Sequence, residues 1–161
     1  MNEGSTHTYL IALGSNMRSH RHGRPRDVLA LALEMIALTG IEVVAISKTI
    51  TSQPLGPSQR EYSNGAAVLK GPLDPPAMLS LLQDVERKLG RKRRGQRWRA
   101  RVLDLDIVLW DGGPFHSPDL TIPHPEFRQR DFVLEPASSI APGWRAPETG
   151  LSLRHLLARL R

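Results

Sequence analysis

Apolar and polar residues follow one another along the chain in a pattern that predicts six main elements in the order β, α, β, β, α, β. Apolar and β-branched residues fill 8–13, 41–51 and 62–69, and Gly or Pro follows shortly after each stretch, as is typical of strands. Over 25–40 and 74–90, apolar residues recur at every third or fourth position, which predicts two helices. Each has a proline near its start and a glycine at its end, the usual positions of these residues.

The sixth element, over 101–111, shows strict alternation and therefore predicts a strand with one packed face and one polar face. The apolar side chains expected on the packed face are Leu103, Leu105, Ile107 and Leu109, and the opposite set is Val102, Asp104, Asp106, Val108 and Trp110. Two shorter helices are expected around 132–140 and 151–160. This order predicts an α+β fold, a ferredoxin-like βαββαβ sandwich in which an antiparallel sheet carries helices on one face and the active site on the other side. Residues 1–161 are expected to form a single domain.

Composition removes several classes of protein. The chain has 161 residues, of which 40% are hydrophobic and 24% charged, as in an ordinary globular domain. Because it has no cysteine, disulfides, thiolate zinc sites, iron–sulfur clusters and cysteine nucleophiles are excluded. No apolar run approaches the roughly 18 residues of a membrane span, and no charged start precedes an apolar stretch at the N-terminus. We therefore expect a cytoplasmic protein that contacts no membrane and acts as a monomer.

The net charge of +6 comes from one segment. Residues 87–101 contain nine cations and no acid, and the remaining sequence has 13 cations against 16 acids. Such a cluster predicts a local site for a polyanion, and a nucleoside triphosphate or a nucleic acid would fit. A smaller basic stretch, over 18–26, is best interpreted as a solvated loop.

Asp104 and Asp106 are candidate metal ligands. Two residues apart on a strand, their Cα atoms should lie about 7 Å apart with both carboxylates on one face. Mg²⁺ takes oxygen ligands and shares its shell with substrate phosphates. An isolated Asp-x-Asp more often only neutralises nearby arginines, but here it follows the basic segment. Divalent metal combined with arginine stabilises charge during phosphoryl transfer, so the combination favours that chemistry.

Several aromatic and polar residues could bind a flat heterocycle. Trp98 lies inside the basic segment, where a large ring could stack on a ligand. Tyr62 and Phe132 could flank a planar ring and Asn64 could read its edge, although each alone is more often a core or turn residue. His124 has no HExxH or cysteine partner, so a phosphate contact is favoured over a zinc site.

Four motifs in this order resemble the 6-hydroxymethyl-7,8-dihydropterin pyrophosphokinase family of folate biosynthesis over about residues 8–158. They are Leu13-Gly14-Ser15-Asn16, Pro54-Leu55-Gly56-Pro57 with Tyr62 and Asn64, Arg97-Trp98 leading into Leu103-Asp104-Leu105-Asp106, and Ile122-Pro123-His124-Pro125 through Arg130 and Phe132. The resemblance implies a ferredoxin-like fold and a Mg²⁺-dependent reaction. The β,γ-diphosphate of ATP would pass to the hydroxymethyl oxygen of the pterin, with release of AMP.

The resemblance also implies roles for individual residues on the phosphate side. Asp104 and Asp106 would bind two Mg²⁺ ions, and Asp106 would help to orient the attacking hydroxyl. The remaining expected contacts to nucleotide and phosphates are Arg91, Arg93 and Arg101 as loop cations, Glu86 as an acid near the nucleotide, and His124 and Arg130.

On the pterin side, the resemblance implies that Tyr62 and Phe132 flank the ring and that Asn64 reads its edge. Trp98 would cover the ring, and backbone around Ser52 and Leu55 would meet its amide side. The chain departs from the family pattern in three places, one of which is the basic stretch over 18–26, to which the resemblance assigns no role. Ser52-Gln53 replaces Thr-Pro, and Arg99-Ala100 replaces Gly-Pro, which changes the stiffness of the basic segment.

Two other functions remain open. A ferredoxin-like sheet with basic loops is also used by single-stranded RNA-binding modules. Those modules display Phe or Tyr on central strands, whereas the strand here displays Asp104 and Asp106, which would repel phosphate without a metal. A non-catalytic nucleotide-binding regulator would bind ATP without turnover. If the chain is a pyrophosphokinase, as the resemblance implies, its partners are ATP and the pterin, and it binds no nucleic acid.

Overall fold

The computed structural model describes residues 5–17, 23–52, 62–90 and 103–161. In these ranges the strands are β1 (His7–Ser15), β2 (Glu42–Ile46), β3 (Ile50–Ser52), β4 (Tyr62–Gly71), β5 (Leu103–Trp110), β6 (Phe115–Ser117) and β7 (Leu120–Ile122). The helices are α1 (Pro25–Leu38), α2 (Pro75–Leu89), α3 (Asp131–Ile140) and α4 (Leu153–Leu160). Every predicted helix is present, and so is every predicted strand except the one over 41–51, which the structure divides into β2 and β3. None of the helices in the described ranges is long and apolar enough to cross a membrane.

The main sheet is antiparallel, with the strand order β2-β4-β1-β5, and β3 also pairs with β4. The prediction of a single strand over 41–51 is wrong, because the chain leaves the sheet between β2 and β3. At this break the backbone N–H of Ser47 donates to the carbonyl of Ala66, and the Ser47 hydroxyl accepts from the N–H of Ala66, both at 2.9 Å. The serine side chain thus replaces a backbone acceptor.

Helices α1 and α2 pack on one face of the sheet and form the first core. This core is made of buried apolar side chains of both layers, among them Tyr9, Ile11, Leu13, Val28, Ile36, Met78, Leu82, Leu103 and Leu105. Helix α2 begins as predicted: Oδ1 of Asp74 accepts a hydrogen bond from the N–H of Ala77 at 3.1 Å, which satisfies one of the free amides of the first turn. Gly90 follows its last residue.

Helices α3 and α4 pack on the opposite face and form a second core. Its buried side chains are Leu10, Ala66, Val68, Val108, Leu109, Phe127, Val133, Leu134, Ala137, Ala146, Leu153 and Leu156. The α+β ferredoxin-like class is confirmed, but the face opposite α1 and α2 is not open throughout. Helices α3 and α4 cover this face around Leu10 of β1 and Val68 of β4. The polar residues of the face lie nearer the C-terminal end of β1.

A β-bulge in β5 changes the predicted alternation. Leu10 pairs with Leu109 but Ile11 pairs with Ile107, so Val108 is an extra residue on β5. The prediction that Leu109 joins the first core and that Trp110 faces the other way is wrong. Leu109 lies in the second core, and Trp110 packs in the first core against Tyr9, with ring centroids 5.8 Å apart. The alternation holds from Leu103 to Ile107, which includes both aspartates.

Candidate active site

Three neighbouring strands place polar residues in one row across the sheet. Asn64 of β4 pairs with Gly14 of β1, which pairs with Asp104 of β5. Directly paired residues of an antiparallel sheet point to the same face. The next row on that face is Ala66, Ala12 and Asp106. Two carboxylates and one amide therefore share a face, and only small residues separate them.

Gly14 lets the Asn64 side chain lie close to the central strand. A Cβ atom on Gly14 would lie 3.1 Å from Oδ1 of Asn64, closer than nine in ten real Cβ contacts. Asn64 itself is buried, with 6% of its surface exposed. The strand predicted over 8–13 ends before Gly14, whereas β1 continues to Ser15, so the role of Gly14 was not predicted. A glycine within a strand often marks the close approach of another group, and that was the available clue.

Asp104 and Asp106 have the donor chemistry that Mg²⁺ requires. Asp104 is exposed and Asp106 is half-buried, so both carboxylates can meet a ligand from the solvent side. Within the described ranges no cluster of three or more His, Cys, Asp or Glu residues could hold a metal by itself. One or two carboxylates with substrate phosphates are the usual Mg²⁺ environment, so the pair fits this ion.

Glu86 lies at the outer edge of β5. Its side chain is buried, and Oε2 accepts a hydrogen bond from the backbone N–H of Leu105 at 2.9 Å. Leu105 is the residue between the two aspartates. The acid expected near the nucleotide is thus placed next to the strand that carries the carboxylates.

His124 lies beside β5 as well. Its backbone N–H donates to the carbonyl of Val108 at 3.1 Å, and the N–H of Glu126 donates to its ring Nδ1 at 3.2 Å. Because Nδ1 accepts a hydrogen bond, the proton of the neutral ring is assigned to Nε2. His124 can therefore donate from Nε2 to an anionic ligand.

Arg130 and Phe132 lie at the start of α3. Arg130 forms an ion pair with Glu126, and its guanidinium carbon is 5.7 Å from the centroid of the Phe132 ring. Phe132 is half-buried against the second core. Tyr62, at the start of β4, is half-buried and pairs with Ser52 of β3. Aromatic side chains are thus available at the ends of two elements that pack together, β4 and α3.

The other predicted site residues, Leu55, Arg91, Arg93, Trp98 and Arg101, lie outside the described residues.

Comparison with known proteins decides the family. Residues 10–142 match the family model described as 7,8-dihydro-6-hydroxymethylpterin-pyrophosphokinase (HPPK). The chain belongs to this family. The resemblance noted in the sequence is therefore confirmed.

Curated members of the HPPK family match over most of this chain. The proteins named 2-amino-4-hydroxy-6-hydroxymethyldihydropteridine pyrophosphokinase from Synechocystis sp. and Pseudomonas aeruginosa are 37% and 39% identical over 155 and 150 residues. These matches cover 96% and 92% of this chain, and 76% and 88% of the relatives.

Solved structures of HPPK proteins share the fold. A structure of HPPK-DHPS in complex with substrates matches with a TM-score of 0.72 at 10% identity, over 95% of this chain and 44% of that one. Plasmodium falciparum HPPK-DHPS matches with a TM-score of 0.69 at 13% identity, over 99% of this chain and 45% of that one. This chain spans less than half the length of these solved chains, and at such identity the likeness concerns the fold alone.

Proposed function

We propose that this HPPK-family chain transfers the β,γ-diphosphate of ATP to the hydroxymethyl oxygen of 6-hydroxymethyl-7,8-dihydropterin and releases AMP, as a step of folate biosynthesis. The observation that carries the proposal is the shared face of β4, β1 and β5. It combines an amide that can read a heterocycle edge, Asn64, with the carboxylates of Asp104 and Asp106. The names of the relatives support the same reaction.

On the phosphate side, Asp104 and Asp106 would hold two Mg²⁺ ions. Bound there, the ions would neutralise charge on the triphosphate. The half-buried Asp106 is also proposed to orient the attacking hydroxyl. His124 would donate from Nε2 to the nucleotide, and Arg130 would exchange Glu126 for a phosphate oxygen.

Cations outside the described residues complete the proposed phosphate site. Arg91 and Arg101 would stabilise charge in the transition state, and Arg93 would hold the nucleotide. The basic character of the segment 87–101 supports this assignment.

On the pterin side, Asn64 can offer both a donor and an acceptor to the ring edge. Tyr62 and Phe132 would contact the ring faces, and Trp98 would cover the ring. The backbone of Ser52 and Leu55 would meet the amide side of the pterin. Gly14 contributes by leaving room for Asn64, since a side chain there would press on Oδ1.

The RNA-binding alternative has no support in the matches reported above, which are to pyrophosphokinases and to HPPK-DHPS proteins. Strand β5, which would be expected to stack bases, displays Asp104 and Asp106 instead of aromatic rings. We further propose that the chain acts as a monomer in the cytoplasm and binds no nucleic acid. The absence of cysteine fits a reducing compartment.

The test is AMP release by the purified chain with ATP and Mg²⁺, with and without 6-hydroxymethyl-7,8-dihydropterin. We expect AMP only when the pterin is present. No pterin-dependent AMP would overturn the proposal. Tight binding of ATP without turnover would instead favour a nucleotide-binding regulator.

A further inference from the structure

Strand β5 carries both candidate metal ligands and lies at an edge of the main sheet. In the described part of the chain its strand partner is β1, from the pair Ser15 and Leu103 to the pair Tyr9 and Trp110. Where its outer edge is buried, the backbone needs partners that are not strands, because an unpaired buried amide is costly.

Helix α2 supplies such a partner through Glu86. The carboxylate accepts the N–H of Leu105 at 2.9 Å, in a buried hydrogen bond. Only 8% of the surface of Glu86 is exposed. Because a buried carboxylate is costly unless it is hydrogen-bonded, and because such bonds are strong, the contact fixes both the side chain and the strand.

A second contact lies three residues further along the same strand. The N–H of His124 donates to the carbonyl of Val108 at 3.1 Å. The contacts at Leu105 and Val108 therefore lie on either side of Asp106.

Leu105 is the residue through which the two carboxylates are connected. Its side chain is buried in the first core with 3% exposed, and it pairs with Leu13 of β1. The core therefore holds the side chain of Leu105, and Glu86 holds its backbone N–H. The directions in which Asp104 and Asp106 leave the strand are then set by this residue.

Mg²⁺ is sensitive to such directions. It binds at about 2.0–2.1 Å and demands near-octahedral geometry. Groups that orient metal ligands without touching the ion typically change metal affinity by about 10–100-fold when they are removed.

We propose that Glu86 is a positioning residue, which holds β5 through the N–H of Leu105 so that Asp104 and Asp106 present a divalent-cation site. The inference rests on the metal site of the proposed function. This role differs from the one that the resemblance implies, in which Glu86 is an acid near the nucleotide.

Four variants test the proposal. Glu86→Met keeps the unbranched shape but removes the acceptor, and Glu86→Ala removes the side chain. Glu86→Gln keeps an acceptor oxygen without the charge. Asp84→Leu is the control, because Asp84 is an exposed acid of the same helix that pairs with Arg87.

Two measurements are made on each variant of the 161-residue chain. The first is the affinity for Mn²⁺ by electron paramagnetic resonance, with a saturating non-hydrolysable ATP analogue and a protein-free baseline. The second is amide hydrogen exchange at Leu105 without ligands. We expect Glu86→Met and Glu86→Ala to weaken Mn²⁺ binding by about 10-fold or more. Exchange at Leu105 should rise by at least about 10-fold, since the amide loses its acceptor.

Glu86→Gln should stay within about threefold of the wild type in both measurements. The control Asp84→Leu should give the wild-type values. The inference is overturned if Glu86→Met binds Mn²⁺ as the wild type does, or if Leu105 stays protected in that variant. It is also overturned if Glu86→Gln is as defective as Glu86→Met, because charge would then matter more than the acceptor. A wild type that binds no Mn²⁺ would instead remove the metal site of the proposed function.

Discussion

Asp104 and Asp106 lie two residues apart on β5 and place their carboxylates on the face of β4, β1 and β5 that also carries Asn64, which is the site face of the sheet. Replacing either one by asparagine removes a charged metal ligand while nearly keeping its shape. We expect turnover to fall by at least about 10²-fold in Asp104→Asn and in Asp106→Asn, because charge stabilisation in the transition state is lost. Steady-state AMP formation measures this. Asp84→Asn, an exposed acid of α2, is the control, and near wild-type rates in both site variants would remove the metal assignment.

Gly14 controls the position of Asn64. In Gly14→Ala the new Cβ atom would lie 3.1 Å from Oδ1 of Asn64, so the amide must move by a few tenths of an ångström. We expect the dissociation constant of the pterin to rise by about 3- to 10-fold, because a displaced amide aligns poorly with the ring edge. Isothermal titration calorimetry measures this constant.

Gly143→Ala is the matched control for this substitution, since a Cβ atom there would meet nothing within 4 Å. Unchanged pterin binding in Gly14→Ala would mean that Asn64 does not read the pterin from its present position.

At this scale the sequence predicts residues whose geometry is local. Asp104 and Asp106 follow from the two-residue period of a strand. Gly14 and the Glu86 bond do not, because each depends on a side chain or backbone group of another element. Sequence spacing alone cannot say which residue of β4 lies beside Gly14 or which amide of β5 faces α2.

Among the elements, α3 packs directly on the site face of the sheet, against β4 and β1. Leu134 of α3 has 0% of its surface exposed and lies in the second core, whereas Leu38 of α1 is 86% exposed. We expect Leu134→Ala to lower the free energy of unfolding by about 2–4 kcal/mol, because it leaves a cavity. Leu38→Ala should change it by less than about 0.5 kcal/mol. Urea denaturation followed by circular dichroism measures both, and equal effects would contradict the packing described.

Helices α1 and α2 were predictable because their periodicity, their prolines and their terminal glycines belong to residues close together in the sequence. The bulge at Val108 and the break at Ser47 were not. The bulge depends on the register between β1 and β5, and the break depends on a serine hydroxyl that meets the amide of Ala66. Both arise from partners that are distant in sequence.

For the molecule as a whole, Tyr9 couples stability to alkaline pH. Its hydroxyl donates to the carbonyl of Leu73 at 2.6 Å. Burial raises the pKa of Tyr9 well above its ordinary value of 10.0, and the nearby charges of Asp74 and Asp111 raise it further. In the unfolded chain the phenol ionises near the ordinary value. Above it, the unfolded chain has lost a proton that the folded protein keeps, so the free energy of unfolding falls as pH rises.

Tyr9→Phe isolates this effect from the titration of other groups. Near pH 8 the wild type should be more stable by about 1 kcal/mol, because the variant lacks the bond to Leu73. Above about pH 10 this advantage should shrink by at most about 1.4 kcal/mol per pH unit. Urea denaturation of both proteins at a series of pH values measures the difference. A constant advantage up to about pH 11 would contradict the raised pKa of Tyr9.

The excess of positive charge is also a property of the whole molecule that has a local origin. Outside residues 87–101, acids outnumber cations, 16 against 13. Arg87 and Lys88 of this segment lie in the last turn of α2, where cations also favour the helix dipole. A concentrated cationic segment that precedes two carboxylates in the sequence suits a triphosphate bound with metal better than a polymer spread over the surface.

The most direct test of the account identifies the products by ³¹P NMR. The purified chain is mixed with ATP, Mg²⁺ and 6-hydroxymethyl-7,8-dihydropterin, and the phosphorus resonances are followed as ATP is consumed. The account predicts AMP and a pterin diphosphate ester in equal amounts, without ADP. Formation of ADP with a pterin monophosphate, or no consumption of ATP, would contradict it.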